Sequence, residues 1–136
     1  WERYASANAL IRQTMAAMEA SKDSAMWTLV GGDLSNLDGR TAFEAMRRGD
    51  SAARDVVDQY LRYLADGLSN LVNIFQPEVI CLGGGVSHER DEDLLVPLQA
   101  MVLDQCFGRE ADRHTRIVKA RLGNDAGIIG AALLGL

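Results

Sequence analysis

With 136 residues, 48% of them hydrophobic and 24% charged, the chain has the profile of one soluble globular unit able to bury a core. Its net charge is −5 and no basic run is longer than Arg47-Arg48, which argues against nucleic acid as a partner, since phosphate binding needs clustered Lys and Arg. No stretch reaches the roughly eighteen apolar residues of a membrane span and no charged-then-apolar leader opens the chain, so a cytoplasmic location with no membrane partner is expected.

The opening WERYAS carries no Met and enters a helical pattern at once, as a piece of a longer protein would. From Tyr4 to Ala20, Leu10, Ile11, Met15 and Met18 recur at helical spacing and predict a helix with a narrow apolar face. SKDS interrupts it, and Gly31 to Arg40 reads as a turn-rich connection. TAFE, Thr41 to Glu44, fits a capping box for a short helix that stops near Gly49. Asp50 or Ser51 then caps the longest helix, on which Val56, Tyr60, Leu64, Leu68, Leu71 or Val72, and Phe75 fall three or four apart. Val57 and Leu61 widen that stripe enough to predict packing against a sheet. Gly67, inside the helix, costs about 1 kcal/mol relative to Ala and points to close packing there.

Pro77 ends that helix, and EVICL is a short buried strand in which Cys81 reads as a small core residue. Cys81 and Cys106 stand apart, without a CxxC pair, so neither a disulfide framework nor a metal site is expected. Asp91 to Gln105 is a helix that tolerates Pro97 near its first turn or at a kink. Thr115 to Ala120 alternates as a second strand, and Asn124 to Leu136 reads as a closing helix, with Asn124 or Asp125 at its cap. The order is that of an α/β fold with a parallel strand pair. Two strands make a poor sheet, so further strands are expected upstream of Trp1.

The first strand stops in Gly83, Gly84 and Gly85, at the carboxyl end where open α/β sheets bind ligands. Two readings stand: a tight strand-to-helix turn, or bare backbone that lets a ligand lie within van der Waals distance. The second strand also ends in a glycine-bearing turn, at Gly123 to Gly127, and two adjacent strand ends of this kind favour a shared cleft over either turn alone. Gly127 and Gly130 read as close-approach positions in helix packing. His88 and His114 lie in polar loops and read as solvated.

FQPEVICLGGGVS, followed by ARLGNDAGIIGAALLG, resembles the C-terminal half of ROK-family sugar kinases, most of all the bacterial glucokinases. GRTAFEAMRRGD and YLADGLSNLVNIF are similar to the helices before that strand, and WERYAS to the residues after the family's zinc motif. The resemblance covers nearly the whole chain. It implies part of an actin-like, RNase H-like ATPase domain, with residues 1–136 as one unit and the N-terminal catalytic domain missing. It implies that Gly83, Gly84, Gly85, Val86 and Ser87 lie against the adenosine of ATP, with the Ser87 hydroxyl also able to serve only as a local cap. Glu2 falls on the family's sugar-binding glutamate, where a carboxylate accepts short hydrogen bonds from hydroxyls.

By the same resemblance the intact protein is a cytoplasmic, homo-oligomeric transferase of carbohydrate metabolism. It uses ATP with Mg2+ and phosphorylates a hexose, glucose first among the candidates, while its structural zinc is held by cysteines upstream. The DxGxT phosphate segment, the catalytic Asp and the Glu-x-Gly-His motif are absent from this chain, so no catalytic residue is named and the piece alone is expected to be inactive. The alternative is a ROK-type sugar-responsive transcriptional repressor.

Overall fold

Ser6 divides the first helical stretch in two. The computed structural model, which describes residues 1–108, 110, 114–122 and 125–134, places a short helix α1 at Glu2–Ala5 and a longer one, α2, at Ala7–Ala20. Ser6 is extended, and its hydroxyl accepts from the Ala9 amide at 3.1 Å as the cap of α2. The single helix expected from Tyr4 to Ala20 is thus corrected to a capped pair. Tyr60 fastens the junction, its buried hydroxyl donating to the Ala5 carbonyl at 3.1 Å, and burial pushes its pKa up to about 12.

The connection through residue 40 holds a helix that periodicity did not show, α3 at Ala25–Leu29, and a single 3-10 turn at Leu34–Asn36. Helix α4, Thr41–Arg47, begins and ends where its pattern predicts, yet by a different cap. Its capping box does not form. Instead the Asp38 carboxylate accepts from the amides of Arg40 (2.9 Å) and Thr41 (3.1 Å) and from the Thr41 hydroxyl. Asp38 lies three residues before Thr41 and an Asx turn suits its short side chain, so it displaces Glu44 from the role.

Gly49, at φ +90°, turns the chain into α5, Ser51–Phe75. Asp50 caps it through Oδ1 to the Ala53 amide at 2.8 Å, while Oδ2 accepts from the Ser24 hydroxyl (2.8 Å) and the Ala25 amide (2.6 Å) at the start of α3. One carboxylate therefore caps two helices. Partial burial acts to raise its pKa, and the hydrogen bonds from Ala53, Ser24 and Ala25 outweigh that effect, holding it below the usual Asp value. Because the folded pKa is depressed, the stabilisation is present above the unfolded value of about 3.9 and is lost as pH falls through the folded one. Asp50→Ala is expected to cost about 1–2 kcal/mol at neutral pH in urea titrations of the full-length protein, with the gap to wild type closing below about pH 4.

Helix α5 ends at Gln76, whose left-handed conformation (φ 48°) precedes Pro77. Strand β1, Val79–Leu82, follows, then a 3-10 turn at Gly85–His88, helix α6 at Leu95–Gln105, and strand β2 at Arg116–Lys119. Pro97 is the third residue of α6, where its missing N–H would have had no helical partner. Among the described residues the sheet has two strands, parallel, with Val79 opposite Arg116 and Leu82 opposite Lys119. Helix α7 spans Ala126–Leu133.

The stripe on α5 packs mainly against helices, with α2, α4 and α6 around it, and the sheet reaches the same core through Ile117. The expected helix-on-sheet packing is corrected accordingly: Phe43, Leu10 and Leu98, all fully buried, fill the grooves that a sheet was expected to fill. Truncating any of these to Ala would remove roughly 2–5 kcal/mol. A smaller cluster of Met18, Met26, Val30, Ala45 and Ala53 lies beneath α3. Along β1 only Ile80 and Leu82 lean into the core, and Cys81 is exposed. Alternation places Cys81 on the open face of the strand, which corrects its reading as a core residue. On α7, Ile128 and Leu133 are exposed, and no described residue lies within 4 Å of a Cβ built on Gly127 or Gly130, so the close packing expected at those glycines is not found.

Candidate functional site

Strand β1 delivers Gly83 at its carboxyl end, where the Ala120 amide donates to the Leu82 carbonyl at 2.8 Å and carries the strand pairing to the rim. From there the three glycines separate by conformation. Gly84 has φ +76° and ψ −172°, a region open only to glycine. Gly83 and Gly85 have no positive φ, and a Cβ on either would be accommodated: 3.9 Å from the Ala120 Cβ at Gly83, nothing within 4 Å at Gly85. The turn itself requires one glycine of the three.

The Gly85–His88 turn is pinned from inside. Val86 is half-buried against the main core, and Ser87 is buried, its hydroxyl donating to the Gly84 carbonyl at 2.7 Å while its amide reaches the same oxygen at 3.2 Å. The Ser87 hydroxyl is thus a local cap, one of the two roles left open for it. His88 is exposed, with Nδ1 3.2 Å from the Gly85 carbonyl, and His114 is exposed as well, in keeping with their reading as solvated side chains.

Beyond the turn stands a group of charges that the sequence did not bring together. Glu89, only 6% exposed, accepts from Arg47 Nη1 at 2.8 Å, and the same nitrogen reaches Asp93 Oδ2 at 3.0 Å. Partial burial works against the Arg47 charge, and the hydrogen bonds it donates to Glu89 and Asp93 outweigh that effect, raising its pKa. From the other side Lys119 donates to the Glu89 carbonyl and pairs with Asp91 Oδ1 at 2.5 Å. Separations of 42, 46 and 30 residues join these groups, so no local pattern marks them. The signals available were an Arg ending a short helix and a Lys ending a strand, both ordinary.

Glu2 occupies the first turn of α1, exposed, and among the described residues its carboxylate has no hydrogen-bond or ion-pair partner. Its helix is seated by Trp1. The indole N–H donates to the Tyr63 carbonyl at 2.6 Å, and a Cβ on Gly67 would fall 2.0 Å from Trp1 Cε2. The close packing expected at Gly67 is present, with the Trp1 ring as the partner. Tyr4 stacks at a tilt on Tyr63 with centroids 5.2 Å apart, and Gln13 donates to the Tyr4 carbonyl at 2.9 Å. Trp1 and Tyr4 are therefore packing residues that set where Glu2 stands. No described hydrogen bond, ion pair or cleft joins Glu2 to the glycine turn.

A cleft of about 820 Å³ lies elsewhere, lined by Pro77, Glu78, Phe107, His114, Thr115 and their neighbours. It sits at the amino ends of β1 and β2, opposite to the end where such sheets bind ligands, and touches neither the glycines nor Glu2. Of the second glycine-bearing turn, Gly123 and Asn124 lie outside the described residues. Asp125 is at the cap position of α7 without a side-chain cap bond. Among the described residues no three His, Cys, Asp or Glu side chains converge to hold a metal, and no helix is long and apolar enough to cross a membrane.

The sequence profile of the ROK family matches residues 1–136. The chain belongs to the ROK family. Within it, this ROK chain is 32% identical over 134 residues to a glucokinase of Streptomyces coelicolor, a match covering 97% of the chain and 42% of that protein. The crystal structure of a ROK-family glucokinase from Streptomyces griseus in complex with glucose and AMPPNP matches with a TM-score of 0.85 at 34% identity, over 98% of this chain and 43% of that one. A ROK-family transcriptional regulator, a homologue of the E. coli MLC protein, matches with a TM-score of 0.75 at 27% identity, over 98% and 32%. The ROK chain thus spans about two-fifths of the glucokinases it matches. The α/β class and actin-like ATPase fold expected from the resemblance hold for the part that the chain covers.

Proposed function

We propose that this chain is the adenosine-binding, C-terminal part of an ATP-dependent hexose kinase. The observation that carries the reading is the excess of glycine at the end of β1. Gly84 is required by its backbone, while Gly83 and Gly85 are exposed, unstrained and free to hold a Cβ. A turn alone explains one glycine; a flat ligand pressed against the backbone explains three. That the glucokinase with which the chain shares its fold was crystallised with glucose and AMPPNP agrees with such a ligand.

In this reading Gly83 to Ser87 hold the base and ribose, and Glu2 accepts hydrogen bonds from hexose hydroxyls. The sugar 6-hydroxyl oxygen bonds to the γ-phosphorus as the bond to the β–γ bridging oxygen breaks. ADP leaves, and the hydroxyl proton passes to a carboxylate outside this chain. Positioning and electrostatic stabilisation dominate such a transfer. ATP enters as a substrate with Mg2+, and none of the described residues is assigned to that ion or to the zinc of the family.

The test follows ADP release by the full-length protein with MgATP and a panel of hexoses, beside Glu2→Gln. Hexose-dependent turnover is expected, falling by about a hundredfold in kcat/KM for the sugar in the variant, as loss of a charged hydrogen-bond acceptor predicts. The isolated 136-residue chain should show no turnover. The similarity to the ROK regulator supports a second reading, a sugar-responsive repressor. Absence of hexose-stimulated turnover, together with sugar-dependent DNA binding, would replace the first reading with the second.

A further inference from the structure

We propose that Arg47 and Lys119 are positioning residues for the nucleotide, acting through a charge clamp on the segment that follows the glycine turn. The inference rests on the adenosine-loop reading above. The clamp draws on three elements: Arg47 at the last turn of α4, Lys119 at the end of β2, and Glu89 to Asp93 between the glycine turn and α6. One Arg47 nitrogen bridges Glu89 and Asp93 at 2.8 and 3.0 Å, so it fixes both ends of that segment at once. Lys119 binds the Glu89 carbonyl from the strand beside β1.

The geometry explains why a buried carboxylate should stand here. Three consecutive glycines leave the chain more conformational freedom than any other residues would, and an adenosine site built from bare backbone needs that freedom removed before the ligand arrives. The turn's own bonds, from Ser87 and Glu89 amides back to Gly84 and Val86 carbonyls, are local, and Val86 packs against the core on the inner side. The clamp adds a polar, long-range restraint on the segment that leaves the turn. A buried ion pair is often no more stabilising than an apolar replacement, which leaves conformational specificity as its use here.

The experiment measures MgATP binding by calorimetry, with KM for ATP and for the hexose, in full-length wild type, Arg47→Met, Lys119→Met and Arg47→Lys. KM and Kd for ATP are expected to rise about tenfold or more in Arg47→Met and by less in Lys119→Met, while the hexose KM stays within about twofold. Arg47→Lys should recover part of the loss, since its ammonium keeps the charge on a stem one bond too short to place a nitrogen where Nη1 bridges the two carboxylates. If wild type binds ATP and both methionine variants bind it equally well, the clamp proposal is overturned while the adenosine loop stands. Equal increases in the ATP and hexose KM values would overturn it too, as the mark of a general structural role. A wild type that binds no adenine nucleotide would remove the adenosine-loop reading itself. Should Arg47→Met fail to fold, Lys119→Met decides the matter alone.

Discussion

Gly85→Ala in the full-length protein is expected to weaken ATP binding by about tenfold or more without lowering the thermal midpoint, whereas Gly84→Ala is expected to lower both. The contrast follows from backbone conformation. Gly85 begins a 3-10 turn with no positive φ, and its Cβ would enter open space, so the folded state accepts alanine. Removing a glycine from such a site stabilises by about 0.4–1 kcal/mol through the unfolded chain. Any loss of nucleotide binding must then come from the methyl group occupying ligand space. Gly84, at φ +76° and ψ −172°, is different. A side chain there costs about 1–3 kcal/mol. Relief by rotation of the peptide would also turn away the carbonyl that accepts both from the Ser87 amide and from its hydroxyl. Calorimetry with MgATP and a melting curve for each variant check the pair. If Gly85→Ala binds ATP as wild type does, the glycines form a turn and nothing more.

The second large effect concerns the sugar contact proposed for Glu2. Gly67→Ala is expected to raise the hexose KM by about tenfold or more while leaving the ATP KM unchanged. The new Cβ would stand 2.0 Å from Trp1 Cε2 and 2.2 Å from Nε1, distances no side chain can occupy. The helix cannot yield, because Tyr63, Leu64 and Leu68 around that position are held by the core and by the Tyr4 ring. The indole must leave, breaking its hydrogen bond to the Tyr63 carbonyl, and α1 loses the seat that places Glu2. Helix propensity alone would predict the opposite sign for stability, a gain of about 1 kcal/mol for alanine over glycine. Steady-state kinetics with each substrate varied separately would show the split. An unchanged hexose KM would mean that the Trp1 seat does not govern Glu2.

Element boundaries were legible in the sequence wherever one local signal dominated. The apolar stripe of α5, a cap at Asp50 or Ser51 and a stop before Pro77 are short-range facts; the helix spans Ser51–Phe75 with Asp50 as its cap and the stripe buried from Val56 to Leu68, while Phe75 is exposed. The two strands and their parallel order were likewise legible from short apolar runs separated by a helix. Local signals misled where a nearby competitor was stronger: Ser6 outweighed the continuity of its helix, and Asp38 took the cap from the Thr41–Glu44 pair. Burial was misread at Cys81, because a run of apolar residues does not say which of its alternating members turns toward the core.

Of the candidate site, the sequence by itself determined the place and the bareness of the backbone, three glycines at the carboxyl end of a strand, and the likeness to the ROK family from which the proposed role of Glu2 is taken. Tertiary structure alone decided which glycine the turn needs, because φ and ψ belong to the folded chain. It alone placed Trp1 on Gly67, and it alone joined Arg47, Glu89, Asp93 and Lys119. Those contacts link residues tens of positions apart. Their formation depends on how α4 and α6 pack against α5 and how α6 meets β2, and hydrophobic burial sets that packing over the whole core. Charge and glycine patterns read along the chain carry no record of it.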